Sequence, residues 1–266
     1  VLEEIAFEVP DSQVDRDLAE ADRLGARLVI PEDVHEWPIA AINSLAAASA
    51  GGIRRFAPPM GLWVRGPHRL VDLTRQAIAM VGTRTPTHYG RTLGSEVAYQ
   101  LAKRGVRVWS GAALGIDGAC HTGALSAGEP TVAVLPCGIG RPYPAAHADL
   151  LARIAEEGLL VSEYAPSSLP SRPTFLSRNR LLAGLCEATV VVEALLRSGS
   201  LSTATTAARL DKTLMAIPGP VTSHYSDGCH MLIRNGDAVL VSSADEILTT
   251  LKSPPPWRRG PEHRVP

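Results

Sequence analysis

Residues 77–111 read AIAMVGTRTPTHYGRTLGSEVAYQLAKRGVRVWSG. Five apolar residues in a row, Ala77–Val81, stop at Gly82. A helical pattern then runs from Tyr89 to Arg104 and ends at Gly105, and Val106-Arg-Val-Trp109 reads as a second strand. An unbroken apolar run, rather than one alternating with polar residues, belongs to a strand covered on both faces. Strand, helix and strand in that order make a right-handed βαβ unit with parallel strands. Ligands of such sheets sit beyond the carboxyl ends of the strands. The loops that follow Val81 and Trp109 are therefore the first places to look for function.

Downstream the alternation continues. Ile116–Ala127, Ala145–Glu157, Arg178–Cys186 and Leu201–Leu210 read as helices, and Thr131–Leu135, Leu159–Val161, Thr189–Glu193 and Thr213–Ile217 as strands. Ala238–Val241 and the segment from Ala244 to Leu251 close the pattern. The fold class is α/β, a mostly parallel sheet with helices on both faces. Upstream, the charged stretch Asp15–Leu24, the extended Gly25–Ile30 and the Ala-rich Ile39–Ala50 form a small helical region. Pro58-Pro59 mark a linker, and Leu62–Gly66 reads as a strand entering the main domain. The expected division is 1–57, 58–252 and a Pro-rich, disordered tail over 253–266.

A formal net charge of −1 gives no overall attraction to nucleic acid, so any phosphate-binding surface must be a local patch. Aromatic residues at 5% exclude a broad stacking platform. Cys120, Cys137, Cys186 and Cys229 contain no C-x-x-C pair, which favours free thiols in a reducing cytoplasm over a zinc site or a disulfide framework. No apolar run reaches the roughly 18 residues of a membrane span, and no signal-like segment opens the chain. No cofactor, metal or membrane is expected. Val1 stands where an initiator Met would be, as in a piece of a longer chain.

Several loops are equipped for anions. Gly82 permits close backbone approach, Thr83 and nearby amides can donate to phosphate, and Arg84 can fork onto it; the alternative is a tight turn with a surface arginine. Ser110-Gly111 leads through Gly115 into a helix whose N-terminus attracts negative charge. Asp117 suits that helix start, and His121, four residues on, can bond to it along one helix face or line the site. Cys137-Gly-Ile-Gly140 reads as a turn. Arg172 to Arg180 holds three arginines and no acid, with Phe175 among them. Arginines release counterions from phosphate and an aromatic stacks on a base. Pro173 and Ser177 place the helix start near Ser177, so that Arg178 and Arg180 flank its first turn. The alternative is a solvated basic turn with Phe175 in the core. Ser198-Gly199-Ser200, with Thr203, puts hydroxyls and amides at another helix start.

Taken together, the motifs resemble those of the DNA-processing protein A (DprA/Smf) family, from about Leu62 to Leu248. They are Val81–Arg84 with Tyr89-Gly90; Ser110-Gly111 with Gly115–Asp117 and Ala119–His121; Val134-Leu135 with Gly138 and Tyr143-Pro144; and Ser162-Glu163. They continue with Phe175, Arg178–Arg180 and Ala183–Leu185; Val192–Ala194 with Ser198–Leu201 and Thr203-Ala204; and Pro218-Gly219. The resemblance implies an extended Rossmann-like fold that binds single-stranded DNA as a homodimer, protects it, and loads the RecA recombinase during natural transformation. It implies that Arg84, Ser110, Gly111, Phe175, Arg178, Asn179 and Arg180 line the DNA pocket. It likens residues 1–50 to the family's N-terminal SAM-like domain; the winged-helix domain of many members has no counterpart in the pattern. Thr83, Ser202, His230, Asp237 and the Asp211-Lys212 turn depart from the family pattern, the last two turns bearing on local structure and dimer contacts.

A second reading is a nucleotide-hydrolysing enzyme like the LOG phosphoribohydrolases. Against it, Pro218-Gly219-Pro220 stands where those carry P-G-G-x-G-T. The sequence lacks the G-x-G-x-x-G dinucleotide fingerprint, the G-x-S-x-G nucleophile elbow, H-E-x-x-H and the P-loop. Anion-ready loops without a convincing nucleophile point to binding rather than turnover.

Overall fold

The computed structural model of the chain describes residues 11–52 and 56–253. The expected tail beyond Ser253 lies outside them. In chain order the elements open with α1 (Asp11–Leu24), β1 (Ala26–Val29), α2 (Ile39–Ala50), β2 (Leu62–Arg65) and α3 (Leu70–Leu73). Next come β3 (Ala77–Val81), α4 (His88–Lys103), β4 (Arg107–Ser110), α5 (Ile116–Ser126) and β5 (Thr131–Val134). The remainder are α6 (Ala148–Glu157), β6 (Leu159–Ser162), α7 (Arg172–Leu185), β7 (Ala188–Val191), α8 (Ser200–Arg209), β8 (Thr213–Ala216), α9 (Asp227–Arg234), β9 (Val239–Leu240) and α10 (Ala244–Lys252).

One sheet joins the strands in the order β1-β2-β6-β5-β4-β3-β7-β8-β9. From β6 to β9 every pairing is parallel; β2 runs antiparallel to β6, and β1 antiparallel to β2. β1 comes from the first 57 residues, so the sheet runs through the boundary expected there. The chain builds outward from β3 through β4 and β5 to β6, then crosses back to lay β7 on the other side of β3. That reversal opens a crevice at the carboxyl ends of β3, β4 and β7, where α/β sheets bind ligands.

The strands are apolar throughout because both faces are packed. Ala77, Ala79 and Val81 point to one side, with Leu181, Leu182 and Leu185 of α7, Ala204 and Ala207 of α8, and Ile42 and Leu45 of α2. Ile78 and Met80 point to the other, against Val97 and Leu101 of α4, Cys120 of α5 and Ile247 of α10. A third cluster joins Leu125, Leu151 and Ile154 to the far end of the sheet. α2 crosses α7 at Gly184, where a Cβ would come within 2.6 Å of the Leu45 side chain. All four cysteines are buried free thiols.

One expected boundary is corrected. α7 starts at Arg172 rather than near Ser177. Ser171 and Thr174 form a reciprocal capping box, and Pro173 occupies the first turn, where its missing N–H is unneeded and its fixed φ fits the helix. Proline here opens the helix instead of delaying it, and Arg178 and Arg180 sit in its middle, not its first turn. At the departing turn, Asp211 takes φ of 55°, the left-handed region that favours glycine and that Asp tolerates better than most residues.

Candidate functional site

A cleft of about 380 Å³ opens in the crevice. Its floor is the loop after β3, Gly82 to Thr85. That loop is pinned from below: the Thr83 amide donates to the Glu193 carbonyl at 2.7 Å, and Ile116 N donates back to Thr83 O at 3.1 Å. The buried Glu193 carboxylate accepts from Thr87 N at 2.9 Å and from Thr87 Oγ1 at 2.6 Å. Gly82 is required at this crossing, since a Cβ would lie 2.5 Å from Ile116 Cγ1.

One wall is α7. Phe175, Arg178, Asn179 and Leu182 line the cleft at helical spacing, with the exposed Leu176 beside them. Opposite, α8 begins, and Ser198, Gly199, Ser200 and Thr203 face inward. The Ser198 and Ser200 hydroxyls are 2.7 Å apart. At the mouth the guanidinium carbon of Arg84 lies 5.1 Å from the centre of the Phe175 ring, and Tyr143 meets that ring edge-on at 5.6 Å. Arg84 is exposed and has no ion pair among the described residues.

Arg178 is 5% exposed. Its Nη1 donates to Val134 O at 2.7 Å, while its Nε is buried without a partner among the described residues. Asp117, also buried, supplies the opposing charge and accepts from Gly111 N at 3.1 Å and Ala113 N at 3.3 Å. Burial pulls the Arg178 guanidinium below its usual value, against the pull of Asp117, and pushes the Asp117 carboxyl above its own, against Arg178 and the two amides. The cleft therefore holds one anchored cation, one exposed cation and a side-chain amide, Asn179, with no hydrogen-bond partner among the described residues.

Not every expected residue faces this space. Ser110 is wholly buried and donates to Met80 O at 2.6 Å. Gly111 lies behind Arg178, where a Cβ would fall 1.8 Å from Nη1. Gly115 faces a neighbouring groove. Arg180, 6% exposed, donates Nε to Ala57 O at 2.9 Å and grips both carboxylate oxygens of Glu163. It points away from the cleft because successive even-numbered positions on a helix face different sides. His121 does not bond Asp117; its Nδ1 meets Thr131 Oγ1 at 2.8 Å, and burial lowers its pKa to about 3. Leu182 and Leu195 also line the cleft; of the two, Leu182 carries a sequence signal, since it continues the spacing set by Phe175 and Arg178.

Among the described residues no group of three or more His, Cys, Asp or Glu is arranged to hold a metal, and no helix is long and apolar enough to cross a membrane.

The family model for DNA recombination-mediator protein A matches residues 52–252. The putative DNA processing protein DprA of Mycobacterium tuberculosis is 47% identical over 239 residues, covering 89% of this chain and 61% of that protein. The chain thus spans about three-fifths of that relative's length. The crystal structure of DNA processing protein A from Streptococcus pneumoniae superposes with a TM-score of 0.77 at 32% identity, over 91% of this chain and 78% of that one. DNA processing protein A from Helicobacter pylori, whose structure addresses its single-stranded DNA binding mode, gives a TM-score of 0.67 at 33% identity, over 73% of this chain and 88% of that one.

Proposed function

Since the chain belongs to the DNA recombination-mediator protein A family, we propose that the cleft between α7 and α8 binds single-stranded DNA, and that the protein, as a homodimer in the cytoplasm, hands that strand to the RecA recombinase during DNA uptake. The observation that carries this reading is Arg84 over Phe175 at the mouth of a cleft backed by Arg178. A guanidinium that forks onto phosphate stands beside an aromatic face that a base can stack on. Only a strand with splayed bases offers both contacts at once, because a duplex keeps its base faces stacked within the helix. Thr83, Ser198, Ser200 and the start of α8 add neutral donors for phosphate oxygens. These groups read backbone and base face rather than base edge, so the interaction is largely independent of sequence.

The role is binding, not turnover. The carboxylate that lines the cleft among the described residues, Asp117, feels the charge of Arg178 and is held by two backbone amides. His121 is buried, neutral and turned to Thr131.

The test is a fluorescence-anisotropy titration of matched single-stranded and blunt duplex oligonucleotides across salt concentrations. The single strand binds more tightly, and its affinity falls as salt rises through counterion release. Equal or tighter binding to the duplex overturns the reading. With RecA present, the protein shortens the lag before RecA filaments grow on the single strand; an unchanged lag removes the RecA role and leaves the DNA site standing.

A further inference from the structure

We propose that the strand leaving the cleft continues along the exposed face of α4, on a stripe made by Arg91, Ser95, Tyr99 and Lys103. This rests on the reading of the cleft as a single-stranded DNA site and extends it to a second contact surface.

Three hollows on this side of the molecule are joined through shared side chains. The cleft shares Arg84 with a groove of about 640 Å³ that also takes in Arg91, Ser95, Gly115, Thr122 and His147. That groove shares Arg91 and Ser95 with a third hollow of about 470 Å³, which reaches Tyr99. The middle groove has two guanidinia and no acid in its lining. Like Arg84, Arg91 has no ion-pair partner among the described residues. A polyanion entering here meets uncompensated positive charge, which the formal net charge of −1 for the whole chain conceals.

The geometry follows from helix periodicity. Positions 91, 95, 99 and 103 recur every four residues and so share one face of α4 (His88–Lys103). Val97, Ala98, Leu101 and Ala102 are turned into the core, which fixes that stripe outward. Gly123 of α5 lies against Ser95, where a Cβ would fall 2.1 Å from its carbonyl oxygen, so the two helices approach backbone to backbone beside the stripe. From Arg91 to Lys103 the stripe spans about 18 Å, at about 1.5 Å per residue.

The far end repeats the chemistry of the near end. Tyr99 is 40% exposed, and Lys103 Nζ stands 5.9 Å from its ring centre. Arg84 and Phe175 make the same cation-on-aromatic pair at the cleft mouth, 5.1 Å apart. A cation beside an exposed ring offers phosphate neutralisation and base stacking together, the combination that sequence-independent single-strand binders use. Glu96 also borders the third hollow and is hydrogen-bonded by Gln100 at 3.2 Å; among the described residues it is the one acid lining the two hollows along α4.

Oligonucleotide length separates the two surfaces. Oligothymidylates of about six and about twenty nucleotides, one near the low end of single-strand site sizes and one beyond their upper end of about 16, are titrated against the full chain and its R91A, Y99A and R84A variants. For Y99A the long oligonucleotide loses about fivefold or more in affinity, as deletion of one stacking contact requires. R91A loses a similar factor on the long oligonucleotide and flattens its salt slope by about 0.7, one phosphate on a single strand. Neither variant changes binding of the short one, and both melt at the wild-type temperature. Unchanged long-oligonucleotide affinity in both variants overturns the proposal, as does equal loss at both lengths. The cleft reading fails separately: it falls if R84A binds both lengths normally, whatever the α4 variants do.

Discussion

Glu163 grips Arg180 through both carboxylate oxygens, with side-chain exposures of only 21% and 8%. The pair ties α7 to the end of β6, and Arg180 Nε ties α7 to the chain entering β2 through Ala57 O. Those bonds make Arg180 a strut for the helix that carries Phe175, Arg178 and Asn179.

Removing one partner of a mostly buried ion pair costs on the order of 3 kcal/mol. Glu163→Gln and Arg180→Ala should each lower stability by about that amount, read as a fall in the urea midpoint. At temperatures where Arg180→Ala is folded, the salt dependence of its oligonucleotide binding should match wild type. A stable Arg180→Ala protein with a flattened salt slope would show that Arg180 contacts phosphate after all.

Gly111 is the space into which Arg178 fits. Adding a methyl there puts a carbon 1.8 Å from Nη1 and 2.5 Å from Cζ, inside any real contact. Gly111→Ala should displace the guanidinium from Val134 O, cost about 1–3 kcal/mol of stability as overpacking does, and weaken single-strand binding. Unfolding curves and titrations at matched temperature test it; wild-type values of both would mean that Arg178 yields freely.

His121 sets a pH dependence. In the unfolded chain it protonates near the ordinary value of 6.5, but in the fold burial, with His147 and Arg178 adding to it, holds protonation off until about 3. Between those values the unfolded state binds the extra proton, so acid favours unfolding. The stability is complete above 6.5 and is lost as pH falls toward 3. From pH 7 to pH 5 the loss is about 2 kcal/mol. Urea unfolding at both pH values should show this drop in wild type and a smaller one in His121→Gln. An identical drop in the two proteins would assign the acid sensitivity elsewhere.

Asp117 lines the cleft but is held by Gly111 N and Ala113 N, and His121 is turned to Thr131, in keeping with the proposed binding role. Nucleoside monophosphates incubated with the protein should be recovered intact, with and without divalent cations. Hydrolysis that disappears in Asp117→Asn would favour the nucleotide-hydrolase reading.

Much of the scaffold is legible in the sequence because its rules are local. The unbroken apolar runs at Ala77–Val81 and Val132–Leu135 mark strands covered on both faces, and Gly105 ends α4 where the pattern says. The start of α7 is less legible because Pro173 permits two local meanings, stop and first turn, and the Ser171–Thr174 cap decides between them. The partners of the arginines are not legible at all. Arg178 and Arg180 are two residues apart in one motif, yet one donates to Val134 O in the field of Asp117 and the other meets Glu163 and Ala57. Those assignments depend on which strand ends the fold brings to each side of α7. Arg84 and Phe175 are distant in sequence, and only the reversal of strand order at β3 sets one over the other.

The most direct test of the account is Arg84→Ala, with melting temperature and oligonucleotide affinity measured on the same sample. Arg84 is exposed and touches the rest of the cleft through the Phe175 ring, so its removal should leave the melting temperature unchanged. A charge-assisted contact to phosphate is worth about 1.5–3 kcal/mol, so single-strand affinity should fall about tenfold or more. Arg84→Lys should restore only part of it, because lysine keeps the charge and loses the fork. A lowered melting temperature with normal affinity for the single strand would contradict the account and make Arg84 a packing residue on Phe175.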